Sequence, residues 1–224
     1  MSYKLKFIEI LESIANNSKF KVAKLKNKVK DIEEYIIKRK IKYLKSELGV
    51  DYYSVIGPFY QFLGRVALAW DYPISENKII SGEFRFVNFS GIFFKQFKLY
   101  HDEMPDEEIA LLKSLKVFDD HPVCGDGRLT TFRIPPSSTE PEIWYYDNGK
   151  AYKMQISVEE YFKYTLETRG MLNWQYLFCE IDFSHYEHNF IRNNLQENLT
   201  MLPTMFPDTN FERYQQQFDK LISG

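Results

Sequence analysis

Apolar and polar positions recur along this chain with two periods, two residues in some stretches and three to four in others, and the switches between them outline its elements. Ile143 to Tyr146 and Tyr152 to Ile156 are β-prone runs, and Asn148-Gly149 between them supplies the two positive-φ positions of a tight hairpin turn. Alternation in the first run puts Trp144 and Tyr146 on one face and Ile143 and Tyr145 on the other. A sheet with aromatics on both faces is either covered by helices on both sides or carries a functional groove. Ser157 reads as an N-cap with Glu160 as its capping-box partner, and Ile156 and Tyr161 stand where a hydrophobic staple forms. The next helix stops at Arg169-Gly170, a cation in the last turn and a glycine at a left-handed stop.

Earlier in the chain, Val22, Leu25, Val29, Ile32 and Ile36 follow a 3-4-3-4 spacing, which predicts a helix over about residues 20–47. Asp51 to Leu63 reads as a short helix interrupted at Gly57-Pro58. Arg65 to Asp71 and Glu83 to Phe89 alternate as strands, with Phe84 and Phe86 on one face and Arg85 and Val87 on the other. Ser90-Gly91 is a turn, and Ile92 to Phe94 is either a short strand or the start of a helix. Pro105 to Glu108 opens a helix through Leu115 with acids in its first turn, where the helix dipole favours them. Val117-Phe118 and Leu129 to Ile134 are strand candidates separated by Asp119-Asp120-His121-Pro122 and the Gly125 to Gly127 turn. Gln175 to Leu195 and Asn210 to Ser223 read as helices on either side of a Pro203/Pro207 loop.

These elements predict an α+β fold: a mainly antiparallel sheet of about five to six strands flanked by helices, preceded by a basic N-terminal helical segment. The expected division is residues 1–49 for that segment and 50–224 for the α+β domain with its C-terminal helices. A chain of 224 residues is long enough to bury a core without covalent staples. Cys124 and Cys179 form no CxxC spacing, which favours a reducing cytoplasmic compartment and buried thiols. Glu9 and Glu12 interrupt the first apolar run, so no signal peptide is expected, and no run approaches the roughly 20 apolar residues of a membrane span.

Charge is distributed unevenly. Residues 1–48 hold about 13 Lys and Arg against 6 Asp and Glu, roughly +7, which leaves about −9 on the remainder of a chain whose net charge is −2. The lysines lie mostly off the apolar seam. The reading favoured first is therefore that the seam covers the chain's own acidic domain or a second copy, ahead of a partner protein. Nucleic acid or membrane ranks last, because arginines and interleaved aromatics are few there.

The order strand, turn, strand, capped helix, glycine stop and Trp174-Gln175 resembles the SUKH superfamily of cell-wall assembly regulators and bacterial toxin-immunity proteins. Val158-Glu159-Glu160-Tyr161-Phe162 is similar to its late helix, and Phe59 to Gly64 with Leu68-Ala69-Trp70 is similar to its early helix, glycine turn and first strand. Ser81-Gly82-Glu83-Phe84 resembles the opening of its second strand. The likeness spans roughly Asp51 to Phe178, and Leu63-Gly64 departs from the Asn-Gly usual in the family. It implies a non-enzymatic protein-binding module of the immunity type, which blocks a cognate toxin. An intracellular regulatory scaffold is the alternative.

Candidate catalytic groups are sparse. Asp119-Asp120-His121 lacks a second histidine at ligand spacing, and His185-x-Glu187-His188 is not the HExxH arrangement of zinc hydrolases, so no metal site is expected and a metal-dependent enzyme is the weakest reading. Cys124 to Arg128 lacks the Lys and Ser/Thr of a phosphate loop and reads as a turn. No cofactor is expected. An acidic body suits capture of a basic partner, since complementary charge speeds association, and Asp119, Asp120, Asp126, Glu140 and Glu142 are the residues expected to form that partner-binding surface. Membrane contact is not expected, nucleic acid is disfavoured, and oligomeric state is left open.

Overall fold

The protein is described by a computed structural model over residues 3–28, 39, 42–43, 46, 65–87, 89–94, 97–121, 123, 125, 127–135, 138 and 140–223. Within these residues the fold is α+β, built on one antiparallel sheet of seven strands that lie side by side in chain order. They are β1 (Lys21–Lys28), β2 (Arg65–Ser75), β3 (Lys78–Phe86), β4 (Lys116–Asp120), β5 (Leu129–Arg133), β6 (Glu142–Asp147) and β7 (Lys150–Met154). The sheet is larger than the five to six strands expected.

One face of the sheet holds the main core. Helix α1 (Tyr3–Ala15) presents Phe7, Leu11 and Ile14, a stripe at helical spacing, and Phe7 meets Phe84, Phe86 and Phe162 edge-on at 5.5–6.4 Å. A smaller apolar cluster forms on the opposite face from Leu99, Leu112, Leu115 and Val117, with Trp144 and Tyr146 against it. Ile143 and Tyr145 are buried in the main core, so the expected alternation holds, and both faces are covered. Two short helices follow β3: α2 (Phe89–Phe94), which decides the open reading of Ile92 to Phe94, takes in the expected Ser90-Gly91 turn and sets Ile92 and Phe93 on the main core, and α3 (Asp106–Ser114), which covers the smaller side with Leu112.

The closing hairpin and its helix form as their local chemistry dictates. Asn148 and Gly149 have φ of 48° and 89°, and Ser157 caps α4 (Val158–Thr168) in a full capping box with Glu160. Arg169 itself takes the left-handed stop at φ 56°, followed by Gly170 at 69°. A Cβ on Gly170 would lie 2.7 Å from the Phe84 ring and 3.0 Å from the Glu83 carbonyl oxygen, because residues 170–172 run against β3. There Glu83 N–H donates to Gly170 O at 2.7 Å and Leu172 N–H to Ser81 O at 3.0 Å. Strand β4 pairs with β3 only at Arg85 and Phe86, so the two stretches share one side of β3 between them.

Three expectations are corrected. The helix expected over residues 20–47 is strand at Lys21–Lys28, although Arg39, Lys42, Tyr43 and Ser46 are helical. Val29, Ile32 and Ile36 lie outside the described residues, as does the helix expected over Asp51 to Leu63. In β1, Lys24 and Lys26 stand opposite Ala69 and Ala67, whose small side chains leave room for the lysine stems, while Leu25 is 44 % exposed. Pairing with β2 thus outweighs the helical spacing, and lysines on an outer strand also discourage edge-to-edge association. Both α1 and β1, from the segment expected over residues 1–49, pack on the main core.

The helix expected over Gln175 to Leu195 is broken. Trp174 to Leu177 are four consecutive buried residues, which an amphipathic helix cannot accommodate, and they form a 3-10 turn through Phe178. The chain then runs along β7, where Gln155 N–H donates to Phe178 O and Glu180 N–H to Lys153 O, before a second 3-10 turn at Tyr186–His188. Helix α5 (Asn189–Met205) runs through Pro203, expected in a loop, because Leu202 and Met205 on either side of it are buried. Helix α6 (Glu212–Ser223) closes the fold, near its expected bounds.

Candidate functional site

The acidic residues expected on one partner-binding surface are dispersed. Asp119 and Asp120 belong to β4 rather than to a loop, and are 2 % and 5 % exposed. Asp126 lies outside the described residues. Glu140 is exposed, whereas Glu142 is half-buried on β6 and accepts hydrogen bonds from Lys153 at 2.7 Å, Arg133 at 2.7 Å and Trp144 at 3.1 Å. Burial would raise the Glu142 carboxyl, but those three donors outweigh it and hold the group at about 2.

A β-bulge explains Asp119 and Asp120. The register of β4 on β5 shifts between Val117 and Asp119, so Phe118 is the extra residue. Val117 stays with the smaller cluster while Asp119, paired with Thr130, turns to the main-core side beneath α4. There Tyr161 OH donates to Asp119 at 2.7 Å and Arg85 N–H donates at 2.8 Å, with Thr130 Oγ1 2.8 Å from the same tyrosine oxygen. Burial pushes the Asp119 carboxyl up to about 7 against the lowering effect of its donors, and burial together with the Asp119 charge pushes the Tyr161 hydroxyl well up. Asp120 grips the Arg85 guanidinium at two points, each 2.5 Å, and that hydrogen bond raises Arg85 further. Glu83 accepts from Val123 N–H at 2.8 Å, with His121 Nδ1 at 3.7 Å from its other oxygen. These ionisable groups tie the turn after β4 to β3 at the narrow junction of the sheet.

The histidine pair does not converge. His185 is exposed and 3.6 Å from Asp182, whereas His188 is buried edge-on against Tyr152 and Phe183. Among the described residues no three His, Cys, Asp or Glu side chains are grouped to hold a metal ion. Cys179 is buried, donates to Gln175 O at 3.3 Å, and its thiol is pushed well up by burial, which makes it a poor nucleophile. Cys124 lies outside the described residues, and Gly125 and Gly127 take the positive φ of a turn.

Among the described residues the most exposed large apolar groups stand elsewhere. Tyr186 is 85 % and Phe190 73 % exposed, four residues apart where the second 3-10 turn runs into α5. Phe183, His188, Ile191 and Leu195 face inward from the same stretch and fix it on the body, which turns Tyr186 and Phe190 outward. In the same stretch of chain Glu180, Asp182 and Glu187 are exposed, the last 3.5 Å from Lys150, and no Lys or Arg occurs between Arg169 and Arg192. Sequence reasoning did not single this pair out, since it fell inside one long expected helix. Its signal was that both residues lie off the apolar stripe. The cluster of Glu83 and Arg85 with Asp119, Asp120 and Tyr161 was also missed, although charged residues alternating with Phe84 and Phe86 hinted at it.

Compared with protein-family models, with curated proteins and with solved structures, the chain has no match. No helix among the described residues is long and apolar enough to cross a membrane.

Proposed function

We propose that the protein is a non-enzymatic, cytoplasmic binding module of the immunity type, which occupies and blocks a basic protein toxin. The observation that supports this is the outward Tyr186–Phe190 pair in a stretch of chain that also exposes Glu180, Asp182 and Glu187. Aromatic side chains held on a rigid support are the usual anchors of protein interfaces, because they exclude much water for little lost rotamer freedom. The carboxylates of that stretch favour a cationic partner by steering its approach. The resemblance to the SUKH superfamily points the same way.

A stable complex centred there buries on the order of 1,200 to 2,000 Å² in total. The test is affinity capture from the native host at low salt, with the wild-type chain and a Tyr186→Ala/Phe190→Ala variant as parallel baits. The expected outcome is a basic protein retained by the wild type and lost by the variant, whose toxicity on expression is suppressed by co-expression of the wild type alone. Identical capture by both baits, or toxicity unaffected by either, refutes the proposal.

A further inference from the structure

A cavity of about 490 Å³ opens between α2, the residues 97–100 beyond it, the end of α3 and the start of β4. Its volume falls within the range of small-molecule sites. Its apolar lining joins the two clusters of the fold, since Ile92 belongs to the main core while Leu115 and Val117 belong to the smaller one. One wall is fixed to the sheet, where Tyr146 OH donates to Leu99 O at 2.9 Å.

Lys98, Lys113 and Lys116 line the same cavity. The ammonium of Lys113 lies 5.0 Å and that of Lys98 5.6 Å from the centre of the Tyr100 ring, so one aromatic side chain attracts both cations. Asp102 answers Lys98 at 3.7 Å, but both side chains are exposed and such a pair is weak. Lys113 and Lys116 make no ion pair among the described residues. Positive charge thus gathers on the lining of a hollow that is part polar and part apolar, on a chain whose net charge is −2.

We infer that this cavity binds a small organic anion, with the apolar body of the ligand against the half-buried rings of Phe93, Phe97 and Tyr100 and its carboxylate, sulfonate or phosphate among the three lysines. Mutual repulsion of the ammoniums is relieved when the anion arrives. The cavity is a different site from the Tyr186–Phe190 surface, and its occupancy does not depend on the protein-binding role.

The test uses the full chain and 8-anilinonaphthalene-1-sulfonate, an anionic aromatic probe whose fluorescence rises in apolar surroundings, with the uncharged N-phenyl-1-naphthylamine as control. The expected result is saturable one-to-one binding of the sulfonate, about tenfold weaker, or about 1.4 kcal/mol, in a Lys98→Gln/Lys113→Gln/Lys116→Gln variant. The neutral probe is expected to bind both proteins alike. Near-ultraviolet circular dichroism checks that the variant keeps its tertiary structure. Methyl NMR of the wild type provides a readout independent of any variant, with shifts expected at Ile92, Leu115 and Val117. Equal sulfonate affinity in a folded triple variant, shifts confined to other methyls, or loss of sulfonate binding in Tyr186→Ala/Phe190→Ala overturns the inference.

Discussion

Replacing Asp119 with asparagine tests the buried junction of the sheet through its response to pH. The Asp119 carboxyl titrates at about 7 in the folded chain, whereas in an unfolded chain an aspartate titrates near 4. Between those values the native state keeps the proton that the unfolded chain has released, so stability falls as pH rises through this interval and levels off above it. One such group makes the fold about 2 kcal/mol less stable near pH 8 than near pH 5.5. Asparagine mimics the protonated acid. Its Oδ1 can keep the hydrogen bond from Arg85 N–H while its amide donates to Tyr161, which then donates to Thr130, a direction that the 2.8 Å contact permits. Urea unfolding of both proteins at the two pH values is the assay, and subtracting one from the other cancels the titrations they share. The expected outcome is that the variant loses about 2 kcal/mol less than the wild type on raising the pH. Equal pH dependence in the two proteins refutes the assignment of this proton to Asp119.

Two further perturbations probe the frame. Ser157→Ala removes the oxygen that accepts from Glu160 N–H at 3.2 Å, and chemical denaturation is expected to show a loss of about 1 kcal/mol. Gly170→Ala sets a Cβ 2.7 Å from the Phe84 ring at φ 69°, and thermal and denaturant unfolding are expected to show about 2–4 kcal/mol of destabilisation from crowding and backbone strain together.

The parts of the fold legible in the sequence were those whose instructions are local. Asn148-Gly149 sets its own turn, and Ser157 with Glu160 caps its own helix, so the span from Glu142 to Gly170 was readable residue by residue. Strand β1 was not legible because what makes it a strand is space above Ala67 and Ala69, more than 40 residues away in the chain. Asp119 was read as part of a loop, and even alternation along β4 would have turned it the wrong way, because the extra residue Phe118 reverses the facing of Asp119 and Asp120. Asp-Asp-His-Pro has the composition of a turn, and composition alone carries no sign that the two carboxylates would be claimed by Tyr161 and Arg85. Tyr186 and Phe190 were visible only in outline, for their exposure depends on which neighbours are buried rather than on their own identity.

The shared side of β3 governs the order in which the protein can be completed during its synthesis. The first three strands can pair as they emerge, but the backbone groups of Ser81 and Glu83 find their partners only when Gly170 and Leu172 arrive, about 90 residues later. At ribosomal speeds of about 5–20 residues per second that interval is roughly 4 to 18 s. For that time a stretch of strand beside Ile79 and Ile80 is open to another chain, a hazard that the finished protein no longer shows. The left-handed stop after α4 therefore acts as a late clasp, and a nascent chain interrupted before residue 170 is left with its sheet unsealed at β3.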